Sequence, residues 1–219
     1  MTRPVNQPLS LTERRKAATL LDIAHAAAEL FTERGPDGTT AEEIAGRAGV
    51  ALRTFYRYFR NKQDAVAPLL SSGGAHWREL LAATAPGTPL PEALETAAVA
   101  SLSQPGEAAA EALNWTRGLL RAAQDDPALR AVWYRVNQES EEQLLPLMTR
   151  LVGPDVDELE ARLIAAAATD AIRVSLEVWA ASDADVSGPG SPADLVVRAL
   201  RGAGNRALGH RTAADASAE

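Results

Sequence analysis

The chain has 219 residues, 46% of them hydrophobic and 23% charged, a balance that suits a soluble globular protein of one or two domains. Cysteine is absent, which excludes disulfides and thiolate metal sites and makes a reducing cytoplasm the simplest setting; the opening MTRPVNQPLS lacks the apolar core of a signal peptide, and no later segment offers about 18 uninterrupted apolar residues, so neither export nor a membrane partner is expected. The net charge of −7 argues against nucleic acid until it is divided: residues 1–66 hold 10 Lys and Arg against 8 Asp and Glu, a balance of +2, while the remainder holds 12 against 21, a balance of −9.

Taken in chain order, helix signals follow one another without a credible strand or an internal repeat. SLTERRKAATLLDIAHAAAELFTERG sets Ser10 and Glu13 in capping-box spacing, carries Leu20, Ala24, Ala27 and Phe31 on one face and stops at Gly35. Thr40 and Glu43 repeat the capping box before AEEIAGRAG, whose Ile44, Ala45 and Ala48 make a small apolar face ending at Gly49. A third short helix follows through Phe59, and Asn61 can cap a fourth from Lys62 to about Ala83. Two short helices joined by a tight glycine turn suggest a helix-turn-helix. Pro and Gly then delimit helices over about Pro91 to Leu102 and Glu107 to Ala123. Asp126 before Pro127 opens a helix through about Leu151, GPDVDELE opens one from about Asp157 to Ala181, and Ser191 with Pro192 suits the start of a last helix to about Arg201. The expected fold is all-α, about nine helices, with a three-helix head over 1–66 and a larger helical body over 67–202. The first nine residues and the tail 203–219 are expected to be disordered.

The stretch GVALRTFYRYFRNKQDAV concentrates aromatic and basic residues. Leu52, Phe55 and Phe59 fall at i, i+3 and i+7, so they share a face and can pack on the first two helices. Arg53, Thr54, Arg57, Tyr56 and Tyr58 then lie on other faces, with Lys62 just beyond. Guanidinium forks can address guanine edges in the major groove, while tyrosine hydroxyls, lysine and helix N-terminal amides can hold phosphates. An amphipathic helix whose arginines merely face water gives the same pattern. Arg14, Arg15 and Lys16 stand just inside the first helix, where positive charge opposes the helix dipole, so either a partner phosphate or simple solvation accounts for them.

Residues 20–66, LLDIAHAAAELFTERGPDGTTAEEIAGRAGVALRTFYRYFRNKQDAV, resemble the DNA-binding domain of the TetR family of transcription regulators. AAELFTERG matches the end of the family's first helix, TTAEEIAGRAGV its second helix and turn, TFYRYF its recognition helix, and NK the opening of the fourth. The resemblance implies a DNA-binding head and a helical body that binds a small molecule and dimerises through its last two large helices. It implies repression of nearby genes and release from DNA when the effector binds. By position, Thr40 would cap the second helix and touch phosphate, Arg53 and Thr54 would contact bases, Tyr56 and Tyr58 would reach the DNA, and Lys62 would grip phosphate. Ala51 stands where a serine cap is common in the family, which implies a lost phosphate contact.

Two other classes compete. An enzyme finds little support: His25, His76 and His210 lie on different segments without ligand spacing, and neither a metal site nor a cofactor is expected. A helical adaptor that binds protein would use the same amphipathic pattern without Arg53, Tyr56 and Lys62. In the body, Trp77, Trp115, Trp133 and Tyr134, with the polar His76, Asn114, Arg117 and Asn137 nearby in sequence, either pack the core or wall a site for a small, largely apolar effector. DDPALRAVWYRVNQESEEQLLPLM is similar to TetR members of the acyl-CoA-binding type. In the penultimate helix Asp170, Arg173 and Glu177 form one narrow charged stripe, leaving two apolar flanks. One flank, with Ala165, Ala168 and Ile172, is expected to meet a symmetry mate together with Val196 and Leu200, giving a homodimer on a near-palindromic double-stranded DNA site.

Overall fold

The computed structural model describes residues 10–153 and 156–202. The expectations of a disordered N-terminal arm and tail, and His210, lie outside the described residues. The described chain forms α-helices, one 3₁₀ turn and no strand, and divides into two compact units between Leu69 and Leu70. None of its helices is long and apolar enough to cross a membrane.

In the first unit α1 spans Leu11–Arg34, α2 Ala41–Arg47 and α3 Leu52–Tyr58. Ser10 and Glu13 close the capping box at the head of α1, and Thr40 and Glu43 close the second at the head of α2, so two orphan amides are satisfied at each start. Gly35, at φ 75°, ends α1, and Gly49, at φ 66°, makes the turn between α2 and α3, a backbone region that a Cβ would disfavour. Ile23, Ala27, Leu30 and Phe31 of α1, Ile44 and Ala45 of α2, and Phe55 and Phe59 at α3 are all buried, as their periodicity implies. Phe55 and Phe59 pack with their ring centroids 5.5 Å apart.

The fourth helix differs from expectation. Asn61 Oδ1 does accept from the Asp64 amide at 2.8 Å, but Gln63–Val66 is a 3₁₀ turn and α4 proper spans Ala67–Ala82. Pro68 is the cause: it has no N–H to reach the Asp64 carbonyl four residues back, so that carbonyl takes the amide of Ala67, three residues on. A straight α-helical rod from Lys62 is therefore absent.

The second unit holds most of α4, then α5 at Leu90–Leu102, α6 at Glu107–Asp125, α7 at Pro127–Val152, α8 at Glu158–Ala181, and α9 from 192 through 202. Helices α6, α7 and α8 pack against one another. Polar stitches cross their seams: Trp133 Nε1 of α7 donates to Glu177 of α8 at 2.7 Å, and Arg78 of α4 donates to Ser140 Oγ of α7 at 2.8 Å. Arg121 of α6 donates to the carbonyls of Ala180 and Ser182 at the end of α8.

The charged stripe of α8 borders α7, with Arg173 and Glu177 half-buried at that seam and Asp170 exposed. Arg173 bridges Asp170 at 2.9 Å and Glu177 at 3.0 Å, and Glu177 also takes the Trp133 indole. This corrects the expected dimer flank. Ala165 and Ala168 are 1% and 2% exposed and Val196 is fully buried, because these side chains already pack inside the protomer; they cannot touch a second copy. Ile172 and Leu200 are half-buried. The apolar side chains that α8 leaves open are Leu159, Leu163, Val174 and Val178, the first two 67% and 60% exposed.

Phe55 fills the center of the first unit with no exposed surface. Its replacement by Ala should destabilise that unit by about 3–5 kcal/mol, and by Leu substantially less. Chemical denaturation followed by far-ultraviolet circular dichroism, compared with wild type, measures both.

Candidate nucleic-acid interface

The interface begins at a buried threonine. The α1–α2 connection is tight: a Cβ at Gly38 would lie 2.5 Å from the Arg34 carbonyl oxygen. This delivers Thr39 into the interior, where its hydroxyl lies 3.2 Å from the Leu30 carbonyl and 3.0 Å from that of Gly35. The Thr39 carbonyl in turn accepts from Lys62 Nζ at 3.0 Å. Lys62 thus has a structural task that its sequence position does not reveal: it ties the segment after α3 back to the start of α2.

Around this joint the candidate DNA-binding residues take distinct places. Thr40 is exposed and caps α2, its Oγ1 accepting from the Glu43 amide at 3.2 Å. Backbone and hydroxyl hydrogen bonds from Thr40, then Arg34, hold the Glu43 carboxyl below its ordinary value of 4.5. That contribution to the fold is complete above the ordinary value and is lost as pH falls through the lowered one. At the start of α3 no side chain caps the amides, since Ala51 has none to offer. Arg53 and Tyr56 are exposed, Thr54 and Tyr58 half-buried, and Arg14 and Arg15 exposed on the first turns of α1.

Charge pairing sorts the cations of this unit into two groups. Arg34 pairs with Glu43 at 2.9 Å, and Arg47 with Glu29 and Glu33 at 3.0 and 3.1 Å. Such exposed pairs add little to stability but neutralise their surface. Among the described residues no ion pair forms at Arg14, Arg15, Lys16, Arg53, Arg57, Arg60 or Lys62, all of which sit on the first turns of α1 or on and just after α3. The unpaired positive charge is therefore confined to one end of α1 and to α3 with the segment just after it, a distribution that suits an anionic polymer.

Residues 23–67 match the profile of the family described as bacterial regulatory proteins, tetR family, from within α1 to the first residue of α4. That segment carries a DNA-binding domain of the TetR type. The HTH-type transcriptional regulator TcmR of Streptomyces glaucescens is 28% identical over 182 residues, covering 81% of this chain and 80% of that one. A helix-turn-helix transcriptional repressor of Mycobacterium tuberculosis is 35% identical over 89 residues, 38% of this chain and 47% of that protein, so the match spans about half of that relative. The crystal structure of FadR, a TetR-family transcriptional repressor of Thermus thermophilus in complex with lauroyl-CoA, superimposes with a TM-score of 0.51 at 25% identity, covering 83% of this chain and 91% of that one.

The effector candidates of the body scatter. Trp77 of α4 is buried and its indole N–H has no hydrogen-bond partner among the described residues. Trp133 is buried but commits its N–H to Glu177, while Asn137 donates to the Trp133 carbonyl at 2.9 Å within α7. Arg117 lies 3.9 Å from the centroid of the Trp179 ring and donates to the Ala184 carbonyl, so it clamps the segment after α8. Trp115 is half-buried; His76 is half-buried with Nδ1 3.7 Å from Glu79. Asn114 and Tyr134 are exposed, with the Arg173 guanidinium 5.5 Å from the centroid of the Tyr134 ring. An open depression of about 300 Å³ runs along the first turns of α8 between Leu159, Leu163 and Ala167, and none of these candidates lines it.

Sequence reasoning missed Thr39. It saw only a second threonine beside a helix cap, and nothing in the spacing marks one of two adjacent threonines as buried. Thr39→Val removes the hydroxyl while keeping the shape, and should cost the head about 1–2 kcal/mol. Lys62→Met should lower its stability by about 1 kcal/mol, whereas Arg53→Ala should stay within about 0.5 kcal/mol of wild type. Thermal unfolding of the three variants side by side checks the ranking.

Proposed function

We propose that this protein acts in the cytoplasm as a homodimeric repressor that binds a near-palindromic duplex and leaves it when a small, largely apolar effector enters the body. The observation that carries the DNA half is the confinement of unpaired cations to the start of α1 and to α3 with the segment just after it. In this reading Arg53 and Thr54 address bases, while Thr40, Tyr56, Tyr58, Lys62, Arg14 and Arg15 hold the backbone. Lys62 has three N–H donors, so bonding Thr39 leaves two for a phosphate.

The dimer would form through the open apolar stripe of α8, Leu159, Leu163, Val174 and Val178, joined by Leu200 of α9, while Ile172 lies on the packed side of α8 and is not part of it. An exposed row of aliphatic side chains on a helix whose opposite face is already packed supports a second copy there. A two-fold pair presents two recognition helices about 34–36 Å apart, or a multiple, which matches inverted half-sites. For the effector, the buried and unpartnered Trp77 indole supports a ligand that brings a hydrogen-bond acceptor into an apolar interior. The lauroyl-CoA complex of the Thermus thermophilus repressor supports long acyl chains as the first ligands to try. The relatives are transcription regulators, and no enzymatic role is proposed.

Selection from a random duplex pool followed by sequencing should enrich an inverted repeat; enrichment of none overturns the operator reading. On the enriched duplex, Arg53→Ala should relax base preference at about one position per half-site by about 1–3 kcal/mol, leaving the salt dependence in place. Val178→Asp should shift the sedimentation of the protein to that of a monomer at micromolar concentration and weaken operator binding sharply. An effector identified with acyl-CoAs in a thermal-shift screen should lower operator affinity about 5- to 150-fold, and bound operator should weaken effector binding by the same factor.

A further inference from the structure

Helices α1 and α3 meet over one aromatic ring. The Arg57 guanidinium lies 4.7 Å and Lys16 Nζ 5.9 Å from the centroid of Tyr58, and Arg57 Nη2 donates to the Tyr58 hydroxyl at 3.0 Å. Two positive charges from different helices thus gather on a single half-buried side chain. A ring attracts one exposed cation only weakly, and two cations at one ring repel each other. Neither has a carboxylate partner among the described residues, unlike Arg34 and Arg47 of the same unit. The hydrogen-bonding inventory is one-sided. The Tyr58 oxygen accepts from Arg57, which leaves its own proton to donate, and the ammonium and the remaining guanidinium N–H groups are donors only.

We propose that Lys16, Arg57 and the Tyr58 hydroxyl together seat one phosphate of the DNA backbone, so that α1 fixes the angle at which α3 enters the groove. The proposal rests on the DNA-binding reading, in which Tyr58 already holds the backbone, and adds Lys16 and Arg57 as its partners on a single phosphate. Lys16 lies outside the matched residues 23–67 and off the recognition helix, and Tyr58 closes α3 at the end opposite Arg53 and Thr54. That placement suits backbone anchoring rather than base reading. One anion between the two cations removes their repulsion and satisfies the cluster of donors at once.

The test uses the full-length protein and a random-sequence 30-base-pair duplex, because phosphate contacts need no operator. Affinity is titrated from about 50 to 200 mM salt for wild type, Lys16→Ala, Arg57→Ala, the double variant, Tyr58→Phe and Lys62→Ala, each first matched to wild type for folding by circular dichroism. Each single cation variant should bind more weakly. The double variant should flatten the salt slope by about 0.9 per head, one phosphate's worth, rather than the roughly 1.8 of two separate contacts. Tyr58→Phe should weaken binding roughly two- to fivefold at fixed salt. Additive flattening in the double variant overturns the shared seat, as does a Lys16→Ala protein identical to wild type in affinity and slope. If those results come while Lys62→Ala still flattens the slope, the seat is wrong and the DNA-binding reading stands; absence of duplex binding by the wild type overturns both.

Discussion

The hydrogen bonds of Thr39 are the joint on which the DNA-binding head depends. A buried hydroxyl that answers two carbonyls at the end of α1, and a carbonyl that holds Lys62, fix three segments to one residue. Left unmade in a dry interior, each of these groups would carry its full desolvation cost, so the geometry is enforced from both directions. The recognition helix is only seven residues long and lacks a side-chain cap, and helices of that length do not hold themselves. Its position is imposed by Phe55 and Phe59 beneath it and by the tied segments on either side.

The body is arranged on a different principle. Its seams are closed by charged and indole donors that reach across helices, with Arg173 and Glu177 at the center of one chain and Arg117 and Arg121 at the other. These groups are only partly buried, so their worth lies less in net free energy than in fixing which helix faces meet. The consequence for α8 is direct. Arg173 and Glu177, which look like part of a solvated face, are engaged at the seam with α7, while Leu159, Leu163, Val174 and Val178 stay open to solvent.

How much of this was legible in the sequence follows the physics of each signal. Capping boxes and glycine stops are local, so Ser10–Glu13, Thr40–Glu43, Gly35 and Gly49 could be read directly. The buried face of α3 followed from a period of 3.6, which placed Phe55 and Phe59 correctly. Pro68 is a local signal of the same kind, since a residue without an amide near a helix start reshapes the turn before it. The two flanks of α8 could not be told apart, because alanine and isoleucine are apolar whichever neighbour they touch and periodicity names a face without naming its partner. Arg117 and Tyr134 were ambiguous for a related reason: a polar or aromatic group near others in sequence says nothing about whether a backbone carbonyl, a guanidinium or a ligand lies opposite.

One feature of composition becomes optical once placed on the fold. All four tryptophans, at 77, 115, 133 and 179, belong to the second unit, whereas the head carries only tyrosine and phenylalanine. Light at wavelengths that excite indole alone therefore reads the body and is blind to the head. The molecule has a built-in division of spectral labor, in which emission color and lifetime follow the helices around Trp77 and Trp179 while the DNA-facing unit stays dark.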